Sequence, residues 1–280
     1  MLTVQFGACA IAFKATAPQI RQHLHRQLRA YATPTEPDCT VLISATGAPV
    51  PPPDAWQQTQ PFFRAQGNHF SMGPNLISGT LDPDGKQITL ELSDTFFDQP
   101  IAAVWQHFIY RLYHTVCHWQ NQRSFFLHAC AVAAEPHGLV CTGPHQIGKT
   151  TVARTSALQV LHDDQVIITL HPEGPWVYSA PLPAQLCTAP AMKLPITQIL
   201  VLAQDHEFCL DRMEPAEAFA SVYQEMVLPL GLEETGAHQA RQHRTSWCAE
   251  LLERVPPRRL HFDLGGRFWT ELLHTTQGKG

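Results

Sequence analysis

Residues 139–154 read LVCTGPHQIGKTTVAR, and the segment from Gly143 to Thr150 fits G-x-x-x-x-G-K-S/T. An apolar run enters it, and TTVARTSALQV, which leaves it, reads as a helix. A phosphate-binding loop needs this setting: backbone amides converging on an anion, a helix N-terminus facing it, and a lysine within reach of the outer phosphates. Gly143 suits the tight exit from the strand. Gly148 lets the backbone approach closely beside Lys149, and Thr150 offers its hydroxyl to Mg²⁺. The expected nucleotide-contacting set is Gly143, Pro144, His145, Gln146, Ile147, Gly148, Lys149, Thr150 and Thr151. Only backbone groups matter at the variable positions, so side chains there can point outward where φ is negative, and His145 is expected on the loop surface. Gln146 stands where such loops often carry glycine. A positive φ there costs about 1 kcal/mol or more.

Working outward, Asp163 and Asp164 follow an apolar stretch beyond the expected helix. Adjacent side chains at a strand end alternate, so these carboxylates face different ways. One is free to face a metal while the other faces an acceptor, the two tasks that phosphoryl transfer requires of carboxylates. Upstream, His128 interrupts the apolar run FFLHACAVAA, one strand before the loop strand. Two readings stand: a satisfied core histidine, or a side chain that hydrogen-bonds a catalytic aspartate and tunes it.

Composition narrows the classes. A chain of 280 residues that is 44% hydrophobic suits one large domain or two smaller ones with a sizeable core. A formal net charge of -5 and the lack of a basic block argue against nucleic-acid binding. The longest apolar runs, such as 196–203, are too short to span a bilayer. The N-terminus has neither a basic start nor a long apolar run, which argues against a secretory signal and for the cytoplasm. The 8 cysteines are scattered without a C-x-x-C pair and are expected to be small buried hydrophobes in a reducing compartment. His114, Cys117 and His118 share a probable helix face, but nothing nearby completes a metal-ligand set.

Coarse elements follow from periodicity. A strand, TVQFGACAIAF, and a helix, APQIRQHLHRQLRAYA, open the chain. Residues 33–61 read as proline-rich loop, PVPPPD at its centre, around the short strand TVLISA. HFSMG, LISGTLD and QITLELSD suggest a small antiparallel sheet, with DPDGK as the last turn. Residues 100–120 carry helical spacing from Ile101 to Trp119, started by Pro100. After the loop region, LHDDQVIITL reads as one strand. A proline-bearing stretch follows, then the strand ITQILVLAQ, two helices, the strand RRLHFDL and a terminal helix.

The series L-H-A-x-A-V, then G-L-V-x-x-G-P-x-x-x-G-K-T-T, then the aspartate pair resembles the C-terminal domain of HPr kinase/phosphorylase and its related serine kinases. Those domains are similar in fold to phosphoenolpyruvate carboxykinases. The resemblance implies a mixed α/β fold with a nucleotide-binding kinase core over 100–280, preceded by a small α+β region over 1–99. It implies ATP and Mg²⁺ as cofactors, with Lys149 on the β/γ-phosphates and Thr150 on the metal. Asp163 would be the base, oriented by His128, and Asp164 would help bind metal. Family loops often carry Ser and Gly where His145 and Gln146 stand. The acidic, arginine-bearing segment used near HPr has no counterpart, and EGPWVYSAPLPAQ occupies its region. The acceptor implied is therefore not HPr but a Ser or Thr hydroxyl of another peptide or small protein, such as a natural-product precursor. Two other classes compete: a non-catalytic nucleotide-binding adaptor or sensor, and a small-molecule kinase acting on free serine. The family often assembles, which implies a homo-oligomer.

Overall fold

The computed structural model describes residues 1–47, 63–73, 76–93, 95–98, 102–227, 231–232, 237–263 and 265–277. The proline-rich stretch 49–54, and Pro100 and Ile101 at the expected helix start, lie outside the described residues. The fold is mixed α/β with two mixed sheets. It divides into two compact units, Met1–Gln122 with Leu228–Ala240, and Arg123–Val227 with Arg241–Gly280.

The first unit holds β1 (Leu2–Phe6), β2 (Cys9–Ala15), α1 (Pro18–Leu28), β3 (Cys39–Ala45), β4 (Phe63–Gln66), β5 (His69–Met72), β6 (Ile77–Leu81), β7 (Gln87–Leu92) and α2 (Ala102–Trp119). Its strands run in the order β1-β2-β3-β7-β6-β5-β4. The opening apolar run is a hairpin, not one strand. Gly7 takes φ 52 between Phe6 and Cys9, and a two-residue turn with glycine first folds the chain back. The turn at Gly85, φ 69, joins β6 to β7 as expected.

Helix α2 belongs to this unit, so the division falls at Gln122/Arg123 rather than after residue 99. Its stripe of Val104, Trp105, Phe108, Ile109, Leu112 and Val116 is buried. A helix this apolar needs a sheet to cover it, and its ring partners lie on this one. Phe108 stacks on Phe70 of β5 at 6.4 Å, and Tyr113 on Phe6 of β1 at 6.3 Å.

The second unit holds β8 (Ser124–Ala134), β9 (His137–Thr142), α3 (Lys149–Thr155), β10 (Gln159–His162), β11 (Gln165–His171), β12 (Gly174–Ser179), β13 (Lys193–Gln204), β14 (Cys209–Arg212), α4 (Pro215–Glu225) and β15 (Met226–Val227). After these come α5 (Ala237–Arg254), β16 (Arg258–Phe262) and α6 (Phe268–Gln277). Strands β8, β11, β12, β13 and β9 pair in a closed circuit, each with the next and β9 with β8. Their apolar runs are buried on both faces and so read as continuous rather than alternating. Cys130, Val132, Cys141, Leu200 and Leu202 pack with Val152, Phe262, Phe268, Trp269 and Leu272. The Trp269 indole N–H donates to the Val152 carbonyl at 3.1 Å and ties α6 to α3.

Four expectations change here. The helix after the loop stops at Thr155 instead of running on through Val160, because Ala157 adopts φ 53 and β10 begins at Gln159. LHDDQVIITL is two strands broken at the aspartates. Strand β12 arises within a stretch that its prolines mark as loop; Pro175 is tolerated near the strand start. All 8 cysteines are free thiols, and Cys209 is exposed rather than buried. Cys117 faces Cys9, sulfur to sulfur at 3.7 Å.

Candidate active site

The site forms where β8 changes both of its neighbours. Residues 124–128 of β8 pair with β11, and 126–127 with β15. Beyond that point Ala129–Ala134 pair with β9, and 131–133 with β10. On each side one strand must therefore end and another begin beside residue 128. On one side β9 ends at Thr142 and the chain leaves as the 143–148 loop. On the other, β10 ends at His162 and the chain crosses to β11 through Asp163 and Asp164. Such switch points open a crevice beside strand ends, where α/β proteins bind ligands. His128, the last residue of the first pairing zone, faces that crevice.

The crevice is a cavity of about 540 Å³, lined by His128, His145, Gln146, Gly148, Lys149, Thr150, Thr151, Asp163 and Asp164, and by Pro183, Ala184 and Gln185 opposite. That volume is in the range of small-ligand sites. Of the expected set, Gly143, Pro144 and Ile147 are not among the lining residues. The carbonyls of Gly143 and Pro144 accept from the Lys149 ammonium at 2.7 and 3.0 Å. Ile147 packs on the core, and its carbonyl accepts from the Gln204 amide at 3.0 Å. His145 is exposed, as expected, yet it lines the cavity with its ring 6.4 Å from that of His128.

Gly148 is the residue before α3, at φ 110, with no side chain capping the helix. The first bond of the helix runs from Val152 N–H to the Gly148 carbonyl at 2.8 Å. The amides of Lys149, Thr150 and Thr151 precede that bond and have no partner within the helix. Gly143 takes φ 151, which disfavours a side chain, and a Cβ there would also lie 3.3 Å from Ile147, tighter than ordinary contact. Gln146 takes φ 65, the left-handed conformation whose cost falls on any non-glycine residue.

No protein-family model and no curated protein matches this chain. The geometry therefore carries the site's reading by itself.

His128 bridges two carboxylates. Its Nε2 lies 3.1 Å from Asp164 Oδ1, and its Nδ1 lies 2.6 Å from Glu225 Oε2. The resemblance pairs His128 with Asp163; the structure pairs it with Asp164. The reason is the crossing itself. The Asp164 carbonyl accepts from Ala129 N–H at 3.0 Å, which holds residue 164 beside β8 next to His128. Asp163 turns the other way and is almost fully buried. Its Oδ1 accepts from the Gln185 amide at 3.2 Å, while its Oδ2 is buried with no hydrogen-bond partner. An unpaired buried carboxylate oxygen is costly, and this one belongs to a residue on the cavity wall. A cation there would satisfy it.

His162 holds the crossing in shape. Its Nδ1 accepts from the amides of Asp164 and Gln165 at 3.1 and 2.9 Å, and Nε2 lies 3.3 Å from the Leu182 carbonyl. Two accepted bonds at Nδ1 leave the proton on Nε2. Burial lowers its pKa, consistent with a neutral ring. One side chain thus fixes both the aspartate turn and the 182–185 segment across the cavity. Among the described residues, no group of three or more His, Cys, Asp or Glu side chains is arranged to hold a metal ion by itself.

The charge balance fixes a pH window. Hydrogen bonds to Asp164 and then Glu225 push the His128 pKa from 6.5 up to about 9, and the bond from His128 holds the Asp164 carboxyl below 3.8. Burial lowers the Lys149 pKa, against the attraction of Glu225 and Asp164. A raised histidine pKa stabilises the fold fully below the unfolded value of 6.5, and that contribution disappears as pH rises through about 9. The lowered aspartate pKa contributes above 3.8 and is lost as pH falls through its folded value. Melting temperature measured against pH is therefore expected to decline between 6.5 and 9 in part through His128. His128→Gln should flatten that limb, and an unchanged slope would remove His128 as its source.

Sequence reasoning missed Glu225, His162 and Gln185. His162 stands next to the aspartates but reads as the end of an apolar strand. Gln185 acts through its backbone amide, which no side-chain pattern reports.

Proposed function

We propose that the second unit is an ATP- and Mg²⁺-dependent kinase with an HPr-kinase-like, phosphoenolpyruvate-carboxykinase-like core, transferring the γ-phosphate to a Ser or Thr hydroxyl of a peptide or small protein. The observation that carries this is the meeting of a glycine-lysine loop, two differently partnered aspartates and a cationic histidine around one cavity. The loop amides and Lys149 are suited to the β- and γ-phosphates. Asp164, ionised beside His128, is suited to accept the hydrogen bond of the attacking hydroxyl and then its proton. As the oxygen–phosphorus bond forms, the bond from the γ-phosphorus to the β-γ bridging oxygen breaks and ADP leaves. Lys149 offsets charge on the oxygens that carry it.

Thr150 and Asp163 would hold Mg²⁺, the orphaned Asp163 oxygen being the feature that fits a cation. When bound, the ion supplies charge neutralisation at the phosphates, and a site of one or two carboxylates with substrate oxygens suits Mg²⁺. This reverses the roles that the resemblance implies for the two aspartates.

The test is transfer from γ-labelled Mg-ATP by the full chain, offered a degenerate Ser/Thr peptide mixture and, separately, free amino acids. Label in peptide hydroxyls is expected. Label in free serine alone would make it a small-molecule kinase. ATP binding without any transfer would make it a nucleotide sensor.

A further inference from the structure

Glu225 stands outside the cavity lining yet makes the shortest polar contact to His128. Its position follows from strand register. Strand β15 pairs antiparallel with β8, Met226 opposite Leu127 and Val227 opposite Phe126. One more step of the same register sets Glu225 opposite His128, and the side chains meet at 2.6 Å between Oε2 and Nδ1.

Glu225 also stands against local preference. It is the last residue of α4, and a carboxylate at a helix C-terminus opposes the helix dipole. Arg244 on α5 answers that unfavourable end. Its guanidinium donates to the Tyr223 carbonyl and, at 3.4 Å, to that of Gln224, and lies over the Tyr223 ring at 4.3 Å. Arg244 is thus engaged with the backbone, and His128 is the cation that Glu225 itself contacts. A residue that breaks a local rule and is held in place by its surroundings marks a functional position.

Exposure grades outward along the chain of contacts, from 13% for the Glu225 side chain through 20% for His128 to 51% for Asp164. The inner carboxylate is therefore shielded from the cavity, and the outer one meets it. We propose that Glu225 is a positioning residue of the transfer site: it fixes the ring plane of His128 so that Nε2–H aims at Asp164 and holds that carboxylate toward the acceptor. Its catalytic consequence rests on the kinase reading above; the contact with His128 does not. Both ring nitrogens face carboxylates, so both donate, and truncating Glu225 frees the ring to rotate away from Asp164.

The experiment compares Glu225→Gln, Glu225→Ala and Glu225→Asp in the full chain at one pH. Transfer is read from γ-labelled Mg-ATP to the degenerate Ser/Thr peptide mixture. Loss of the carboxylate partner that orients a metal-bound histidine typically costs about 10–100-fold, and a loss of similar size sets the scale for Glu225. That loss is expected in kcat for Glu225→Ala, with KM for ATP unchanged, and partial recovery is expected in Glu225→Asp. Proton NMR supplies a second readout. A downfield His128 Nδ1–H resonance, assigned by its disappearance in His128→Gln, should vanish in Glu225→Ala and move upfield in Glu225→Gln. Equal kcat in all three variants, or an unmoved resonance in Glu225→Ala, overturns the proposal. A wild-type chain that binds ATP but transfers nothing overturns the kinase reading instead. The resonance then still decides whether Glu225 fixes the ring.

Discussion

Asp164→Asn is expected to lower phosphoryl transfer by about 10²–10⁴-fold, the usual worth of a positioned general base, while ATP affinity changes little. The asparagine oxygen can still accept from His128 Nε2, now 3.1 Å from the carboxylate. Its shape and its place beside β8 are therefore kept, and what is lost is the ability to take a proton. Asp163→Asn should behave differently. Asp163 keeps one oxygen on the Gln185 amide and leaves the other buried without a partner. Replacing it should raise the Mg²⁺ concentration needed for half-maximal transfer, and activity should return in part when Mg²⁺ is raised. The measurement is initial rate against Mg²⁺ at saturating ATP for both variants. Rescue of Asp164→Asn by Mg²⁺, with none for Asp163→Asn, would exchange the two roles and restore the assignment that the family resemblance implies.

That pairing could not be read from the sequence, and the reason is physical. Asp163 and Asp164 do take different partners, but they lie in the crossing between two strands and line one cavity, so alternation along a strand is not the cause. Nothing local says which one meets His128, because that depends on β8 exchanging β11 and β15 for β10 and β9 around residue 128. Long-range pairing leaves no local trace. The loop was legible for the opposite reason: Gly143, Gly148, Lys149 and Thr150 do their work at fixed local offsets. The helix after it was over-extended because Ala157, which ends it by adopting φ 53, carries none of the signal that glycine or asparagine gives. Gly7 did carry such a signal, but inside an apolar run its turn was hidden. Glu225 was invisible until the end of α4 was known, since only there does an acidic residue become anomalous.

The second large effect is expected at Lys149, and here the structure separates binding from folding. Lys149→Ala removes a nearly buried ammonium whose hydrogen bonds go to the carbonyls of Gly143 and Pro144. With nucleotide present, the same group would exchange those carbonyls for phosphate oxygens, which are anionic and so hold it more strongly. Two charge-assisted hydrogen bonds at about 1.5–3 kcal/mol each correspond to roughly 10²–10⁴-fold in ATP affinity. Folding should suffer far less. The lost ammonium was itself desolvated, which is why its pKa is lowered. Glycine geometry at 143 and 148 and the packing of Ile147 on the core hold the loop without it. Titration calorimetry with Mg-ATP and a thermal melt on the same sample should therefore give a large loss of affinity beside a nearly unchanged melting temperature. Wild-type ATP affinity in the variant would dissociate the loop from nucleotide binding. Lys149→Arg sharpens the comparison. It keeps the charge but replaces the compact ammonium with a wider, planar fork. Intermediate affinity is expected if charge dominates and near-complete loss if fit does. Either result weighs Coulomb attraction against geometry in a loop that carries His145 and Gln146 at its variable positions.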